Sequence, residues 1–506
     1  MNYKCLYHDV LSLIFSNLSF KDMISAGLAN KAWYHSSTNV PCRKESLRNK
    51  NPHIIDASIS SKYGYHITNL DTTMDGYGIS FDDTMTLANA ITKSKVLKSI
   101  ALNQFIGLNA QGVEAIMNAI KLNPHISDLD ISWSYHLKKN STQIVTSIIE
   151  QMPSITFVDM TGNREGMQHI GSMIGKSKTL LSINLSSSSI RDENAKIIAN
   201  AIKKSSSITS IGLDNNDFGV TGIQVLAEAI IESSTLKSIS LATNPDMGVE
   251  GSIVIANLLM QSKTLTEIDL THNRINDDVS ILIADAIKQN VNLNSIKFGN
   301  NNISMPGVIA FADTINKSSS LKLIDFGGCT KIGFAGTKLI LEAIKNNQLS
   351  KLFSLNLSGC FAGSDAEKKL TLLRLIKECV LMSSSLTHIY INGNLIKHDG
   401  AKIIASAIEQ SNNLALIDIS NNLIGLKGST LIANAIAKST SMTSINLSSN
   451  KIFETEAITS IINKSLFIKS LDMSNNSKTV HTKYNKAYKP YKYFSGVSSS
   501  SSSSLS

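Results

Sequence analysis

The sequence predicts an α/β solenoid, in which short parallel strands form an inner sheet and helices an outer layer, preceded by a small all-α module. Three observations predict it. A phrase of the form LxxLxL, followed three residues later by Asn, Cys or Ser, begins at Leu97, Ile126, Ile155, Leu180, Ile208, Leu236, Leu265, Leu293, Leu321, Leu352, Leu386, Leu414, Met442 and Ile468. These starts recur mostly every 28 or 29 residues, a period that marks a stacked array rather than separate domains. Each period has two rhythms: LTEIDL (265–270) alternates as a strand does, whereas GIQVLAEAIIESS (222–234) is apolar at helical spacing. One strand and one helix cannot bury their own apolar edges, so the copies must stack.

Along the chain, residues 1–40 fall outside the repeat. Leu11, Ile14, Phe15 and Leu18 share one helix face, and Ser19 with Asp22 opens a second helix as a capping box. Met23, Ala26 and Gly27 supply its packing face, and Trp33 closes the segment. So short a helical pair has to dock on something to bury its apolar residues. Residues 41–95 read as a linker and a degenerate capping repeat, with a weak copy of the phrase at Ile67.

Residues 96–477 form the array of about fourteen repeats. Asn closes the strand phrase at Asn163, Asn216, Asn244, Asn273, Asn301, Asn394, Asn422, Asn450 and Asn476. A buried turn there leaves backbone groups unpaired, and an Asn side chain satisfies a donor and an acceptor together. Cys329 and Cys360 hold the same slot and read as small buried thiols. Repeats nine and ten run to 31 and 34 residues, and the extra length around Phe361–Ser385 predicts a swelling on the helical side. The tail, 478–506, interleaves five lysines with Tyr484, Tyr488, Tyr491, Tyr493 and Phe494 before a run of serines, a composition expected to be disordered.

The repeat phrase, its period and its helical half resemble leucine-rich-repeat proteins of the ribonuclease-inhibitor-like class. The resemblance implies a curved horseshoe with the sheet on the concave side. The string from Leu6 to Ser37 resembles an F-box: Leu6, Asp9, Val10, Leu11, Ile14, Phe15 and Leu18 match its first helix, Asp22 and Met23 open its second, and Leu28 through Trp33 match its ending. Tyr7 stands where the family has Pro, and the Leu and second Trp that often follow are absent from Tyr34–Arg43. The F-box resemblance implies a substrate-recognition adaptor of a cullin–RING (SCF-type) ubiquitin ligase. Leu6, Val10, Leu11, Ile14, Phe15, Leu18, Leu28 and Trp33 would then contact the Skp-type linker subunit, and the repeats would hold a target protein. The alternative is a non-enzymatic interaction scaffold whose N-terminus only caps the solenoid.

Outward strand positions would line the target face. The third, fifth and seventh residues of the phrases give Asp128, Asp130, Asp159, Asp214, Glu267, Asp269, Asp325, Asp418 and Asp472, against Lys297 and a protonated His388. Such a face favours a basic target segment, with Phe157 and Tyr390 as candidate aromatic anchors. The competing reading is that Asp at the fifth position merely belongs to the repeat.

Several function classes are disfavoured. The net charge of +9 falls to +4 once the tail's five lysines are set aside, and only six arginines occur, so nucleic acid is not expected. No apolar run is long enough to span a bilayer. The stretch Val10–Phe20 resembles a leader, but Asp9 precedes it and Lys21 and Asp22 interrupt it. The five cysteines are scattered and lack any CxxC pair, which fits a reducing compartment, cytoplasm or nucleus, a host cell's included. Gly166–Ser172 lacks the lysine of a phosphate loop, and no HExxH occurs. No catalysis, metal or cofactor is therefore expected.

Overall fold

The computed structural model describes residues 45–48, 55–56, 59–60, 67–72, 80–103, 109–134, 137–347 and 349–476. The helical module expected over 1–40 and the basic tail over 478–506 lie outside the described residues. The chain divides into two compact units, residues 1–189 with 200–209, and residues 190–199 with 210–506.

The first unit runs β1 (Glu45–Arg48), β2 (Ile67–Asp71), α1 (Phe81–Lys93), β3 (Ser99–Ala101), α2 (Ala110–Lys121), β4 (Asp128–Asp130), α3 (Lys139–Ile149), β5 (Phe157–Asp159), α4 (Met167–Lys176) and β6 (Ser182–Asn184). Its strands pair in sequence order, all parallel. The stretch 41–95 thus contributes two strands to the sheet, β2 at the weak copy of the phrase and β1 ahead of it. Helix α5 (Arg191–Lys204) contributes residues to each unit.

The second unit repeats the scheme: β7 (Ser210–Gly212), α6 (Val220–Glu232), β8 (Ser238–Ser240), α7 (Gly248–Gln261), β9 (Glu267–Asp269), α8 (Asp277–Gln289), β10 (Ser295–Lys297), α9 (Met305–Lys317), β11 (Leu323–Asp325), α10 (Gly333–Asn346), β12 (Ser354–Asn356), α11 (Ala366–Met382), β13 (His388–Tyr390), α12 (Lys397–Gln410), β14 (Leu416–Asp418), α13 (Gly425–Lys438), β15 (Ser444–Asn446), α14 (Thr455–Ile462) and β16 (Ser470–Asp472). Its ten strands are again parallel and ordered. Each unit is an open α/β solenoid of strand–helix repeats, the fold class the sequence predicts. Parallel neighbours cannot be joined by tight turns, so from β2 onward a helix crosses over between successive strands of each unit.

The core comes from both halves of each repeat. The middle residue of every three-residue strand is buried, as at Leu129, Ile268 and Ile417, and so is one face of every helix, as at Ile223, Leu226 and Ile230 in α6. Phe298, Phe311 and Phe326 form a buried aromatic cluster with ring centroids 4.8 and 5.3 Å apart. Several helix starts are capped by a side chain: Asn276 accepts from Val279 N at 3.1 Å and Asp365 from Lys368 N at 2.9 Å. Part of the added length of repeat ten is a longer helix, α11, of 17 residues against 14 in α10 and α12.

The buried Asn of each repeat ties it to its neighbours. Asn422 donates through Nδ2 to Ile419 O in its own repeat and Ile391 O in the preceding one, both at 3.0 Å. Its Oδ1 accepts from Asn394 N at 2.9 Å, and Asn422 N in turn donates to Asn450 Oδ1 at 2.9 Å. The same links join Asn216, Asn244, Asn273 and Asn301. Cys329 and Cys360 continue the row as buried thiols, donating to Phe298 O at 3.3 Å and Phe326 O at 3.0 Å.

Candidate protein-interaction surface

In each strand the middle side chain turns into the core, so its two neighbours face the side of the sheet away from the helices. The parallel register then aligns these outward residues into rows. In the first unit the fifth-position row runs Asp71, Ala101, Asp130, Asp159, Asn184. In the second unit it runs Gly212, Ser240, Asp269, Lys297, Asp325, Asn356, Tyr390, Asp418, Asn446, Asp472. Glu267 lies in the adjacent third-position row beside Ser238 and Ser295, and Asp214 follows β7.

Asp128, Asp130, Phe157 and Asp159 therefore share the open sheet face of the first unit. Asp214, Glu267, Asp269, Asp325, Tyr390, Asp418 and Asp472 share that of the second. None stands fully exposed: Asp159 is buried and the other ten are half-buried. Phe157 and Tyr390, the candidate aromatic anchors, are thus half-buried. Strands about 4.8 Å apart bring successive side chains of a row into mutual shielding.

The fifth-position carboxylates have a local structural task. Oδ1 of Asp130, Asp159, Asp269, Asp325, Asp418 and Asp472 accepts from the backbone N–H two residues ahead, at 2.7 to 3.0 Å. Asn184, Asn356 and Asn446 make the same bond at 2.9 to 3.1 Å. The bond satisfies the amide where the strand turns out of the sheet. An Asx residue followed two positions later by Ser, Thr or Gly was the signal for it in the sequence. The row is thus selected first by hydrogen bonding, and its charge comes with that selection.

Electrostatically the second unit centres on Lys297. Its Nζ pairs with Asp269 Oδ2 at 2.9 Å, both side chains largely shielded from water. Burial works against the ammonium, but Asp269, Asp325 and Asp214 outweigh it and hold its pKa above the ordinary lysine value. Burial pushes Asp214 up to about 6, aided by the Asp269 charge and opposed by its hydrogen bond from Ser240. Burial likewise raises Glu267, Asp325 and Asp418. Asp159 in the first unit is pushed up to about 6 by burial and by Asp130. His388 is driven down by burial and is neutral at pH 7, so it adds no charge to the face; its ring sits edge-on to Phe353, centroids 5.6 Å apart.

Burial pushes the thiols of Cys329 and Cys379 up to about 12 and that of Cys360 well above its usual value, so they are protonated packing groups. Among the described residues no group of three or more His, Cys, Asp or Glu is placed to hold a metal ion, and no helix is long and apolar enough to cross a membrane. The linker-contact residues Leu6, Val10, Leu11, Ile14, Phe15, Leu18, Leu28 and Trp33 lie outside the described residues.

A family model described as Leucine Rich repeat matches residues 261–278. No curated protein matches the sequence. Among solved structures, a chain of the yeast Rad7–Elc1 complex is similar at 18% identity, over 68% of this chain and 84% of that one, with a TM-score of 0.47. Actin-binding site 2 of leiomodin-1 is similar at 19% identity, over 30% and 87% of the two chains, with a TM-score of 0.27. The tropomodulin C-terminal domain of Caenorhabditis elegans is similar at 16% identity, over 31% and 92%, with a TM-score of 0.26.

Proposed function

We propose that this leucine-rich-repeat protein is a non-enzymatic receptor that holds a target on the open face of its sheet and delivers it to a cullin–RING ubiquitin ligase. The observation that carries the target-binding half is the aligned face of the second unit. There six carboxylates, from Asp214 to Asp472, oppose one lysine that is already paired. A surface of one sign on a chain whose overall charge is positive steers a partner of the opposite sign, so the target presents a basic segment. The delivery half rests on the F-box-like string at Leu6–Trp33, which would dock on a Skp-type linker. The chain carries out no reaction in this reading; it raises the effective concentration of target lysines near the conjugating enzyme.

A co-expression pulldown with a Skp-type linker tests it, comparing wild type with Leu11→Asp and Trp33→Ala. Stoichiometric capture by wild type, lost in both variants, is expected. A folded wild type that captures no linker would leave residues 1–40 as a solenoid cap and the protein as an interaction scaffold.

A further inference from the structure

A stacked array has an end problem: its last repeat presents, uncovered, the surface that every earlier repeat hides under its successor. Just after β15, the amides that reach onward are Leu447 N, Ser449 N and Asn450 N, which donate to Asp472 O, Ser474 O and Asn476 Oδ1 at 2.8, 2.9 and 2.6 Å. Their counterparts one repeat later are Met473, Asn475 and Asn476, and residues 477–506 carry no further repeat phrase to receive them. The helical layer ends in the same way. Ala435 in α13 is 2% exposed because α14 packs over it. The corresponding Ile461 of α14 is half-buried and lines up at four-residue spacing with exposed Ala457, and Phe453, two residues ahead of the helix, is 71% exposed.

Phe467 departs from the repeat in a telling way. Its position is polar in every other repeat of the second unit, and Ser385, Asn413 and Ser441 use it to bond the preceding repeat's carbonyls. Phe467 is instead 43% exposed, next to Leu466 at 94%. Among the described residues the end surface is therefore apolar, β16 pairs only with β15, and Glu454, Glu456 and Asp472 lie beside it.

We propose that residues 477–494 of this same chain cover that end, as a non-repeat cap. They leave directly from Asn476 beside the edge of β16, and seven extended residues reach ~24 Å, enough to cross from strand to helix. Their four lysines before Tyr491 complement the flanking carboxylates, and Tyr484, Tyr488, Tyr491, Tyr493 and Phe494 provide apolar area for Phe467, Leu466 and Ile461.

Hydrogen exchange read by mass spectrometry on the full chain tests this. Amides in 477–494 should exchange at least about tenfold slower than a free peptide of that sequence. That protection should disappear in Leu466→Ser/Phe467→Ser. Should that variant fold poorly, Tyr484→Ser/Tyr488→Ser/Tyr491→Ser leaves the repeats untouched and should speed exchange at 473–476. Exchange of 477–494 at the free-peptide rate in wild type overturns the proposal. So does protection that rises with protein concentration alongside a doubled mass in light scattering, because a second copy would then be the cover.

Discussion

Asn422 shows how much one side chain can hold. Replacing it with Ala leaves Asn394 N and Ile396 N without their acceptor at a position with no exposure, whereas Ile391 O and Ile419 O keep bonds from Asn394 Nδ2 and Asn450 Nδ2. Leaving such groups unsatisfied costs about 1–3 kcal/mol each when no water reaches them. The expected loss for Asn422→Ala is therefore about 3 kcal/mol or more, read from urea denaturation. The neighbouring turn position works in the other direction. Thr243 is held at φ 58°, a region costly for a β-branched residue. The same turn position is filled by Asn215, Asn300, Asn421 and Asn475, all at positive φ. Thr243→Asn should accordingly raise stability by about 1 kcal/mol; an unchanged midpoint would mean that the turn stores no such strain.

At the scale of elements, each helix is secured by what lies beneath it. Phe311 of α9 packs against Phe298 and Phe326, which follow strands β10 and β11. Phe311→Ala should cost about 3–5 kcal/mol, and hydrogen exchange should accelerate first in α9 and the strands beside it. The repeats themselves were legible because their two rhythms differ, two residues for the strand and 3.6 for the helix. The first strands were harder to see: β1 has no LxxLxL phrase, so only its pairing with β2 identifies it.

At the scale of the molecule, the shielded carboxylates set a pH dependence. Unfolded, Asp214 titrates near its ordinary 3.8; folded, it titrates at about 6. Between those values the folded state keeps a proton that the unfolded state has lost. The stability this group contributes is thus complete below about 4 and is lost as pH rises through 6. Asp159 acts in the same direction. Asp214→Asn, which retains an acceptor for Ala242 N, should gain stability relative to wild type between pH 4 and 7, and equal pH slopes would refute the assignment. Under the proposed function, target binding should have the opposite dependence, since protonation of Asp214 near pH 6 discharges part of the face. The triple change Asp325→Asn/Asp418→Asn/Asp472→Asn keeps the turn bonds, as Asn356 and Asn446 already do, while removing three charges. Binding of a lysine-rich peptide should weaken about tenfold and lose much of its salt dependence, with the denaturation midpoint little changed.

The sequence by itself determined the solenoid, its period, the buried Asn row and the positions that face away from the helices. All of these follow from local periodicity, which stacking copies from repeat to repeat. Only the tertiary structure decided what those outward residues do. Asp130 and Asp472, at the fifth position of the phrase, cap their own strand ends, whereas Asp214, at the seventh, accepts from Ala242 one repeat ahead. Which carboxylate is shielded enough to keep its proton depends on neighbours brought alongside by the parallel register, some 28 residues away in the chain. Periodicity can place a side chain on a face, but the dielectric and the partners it meets there are set by the repeats on either side.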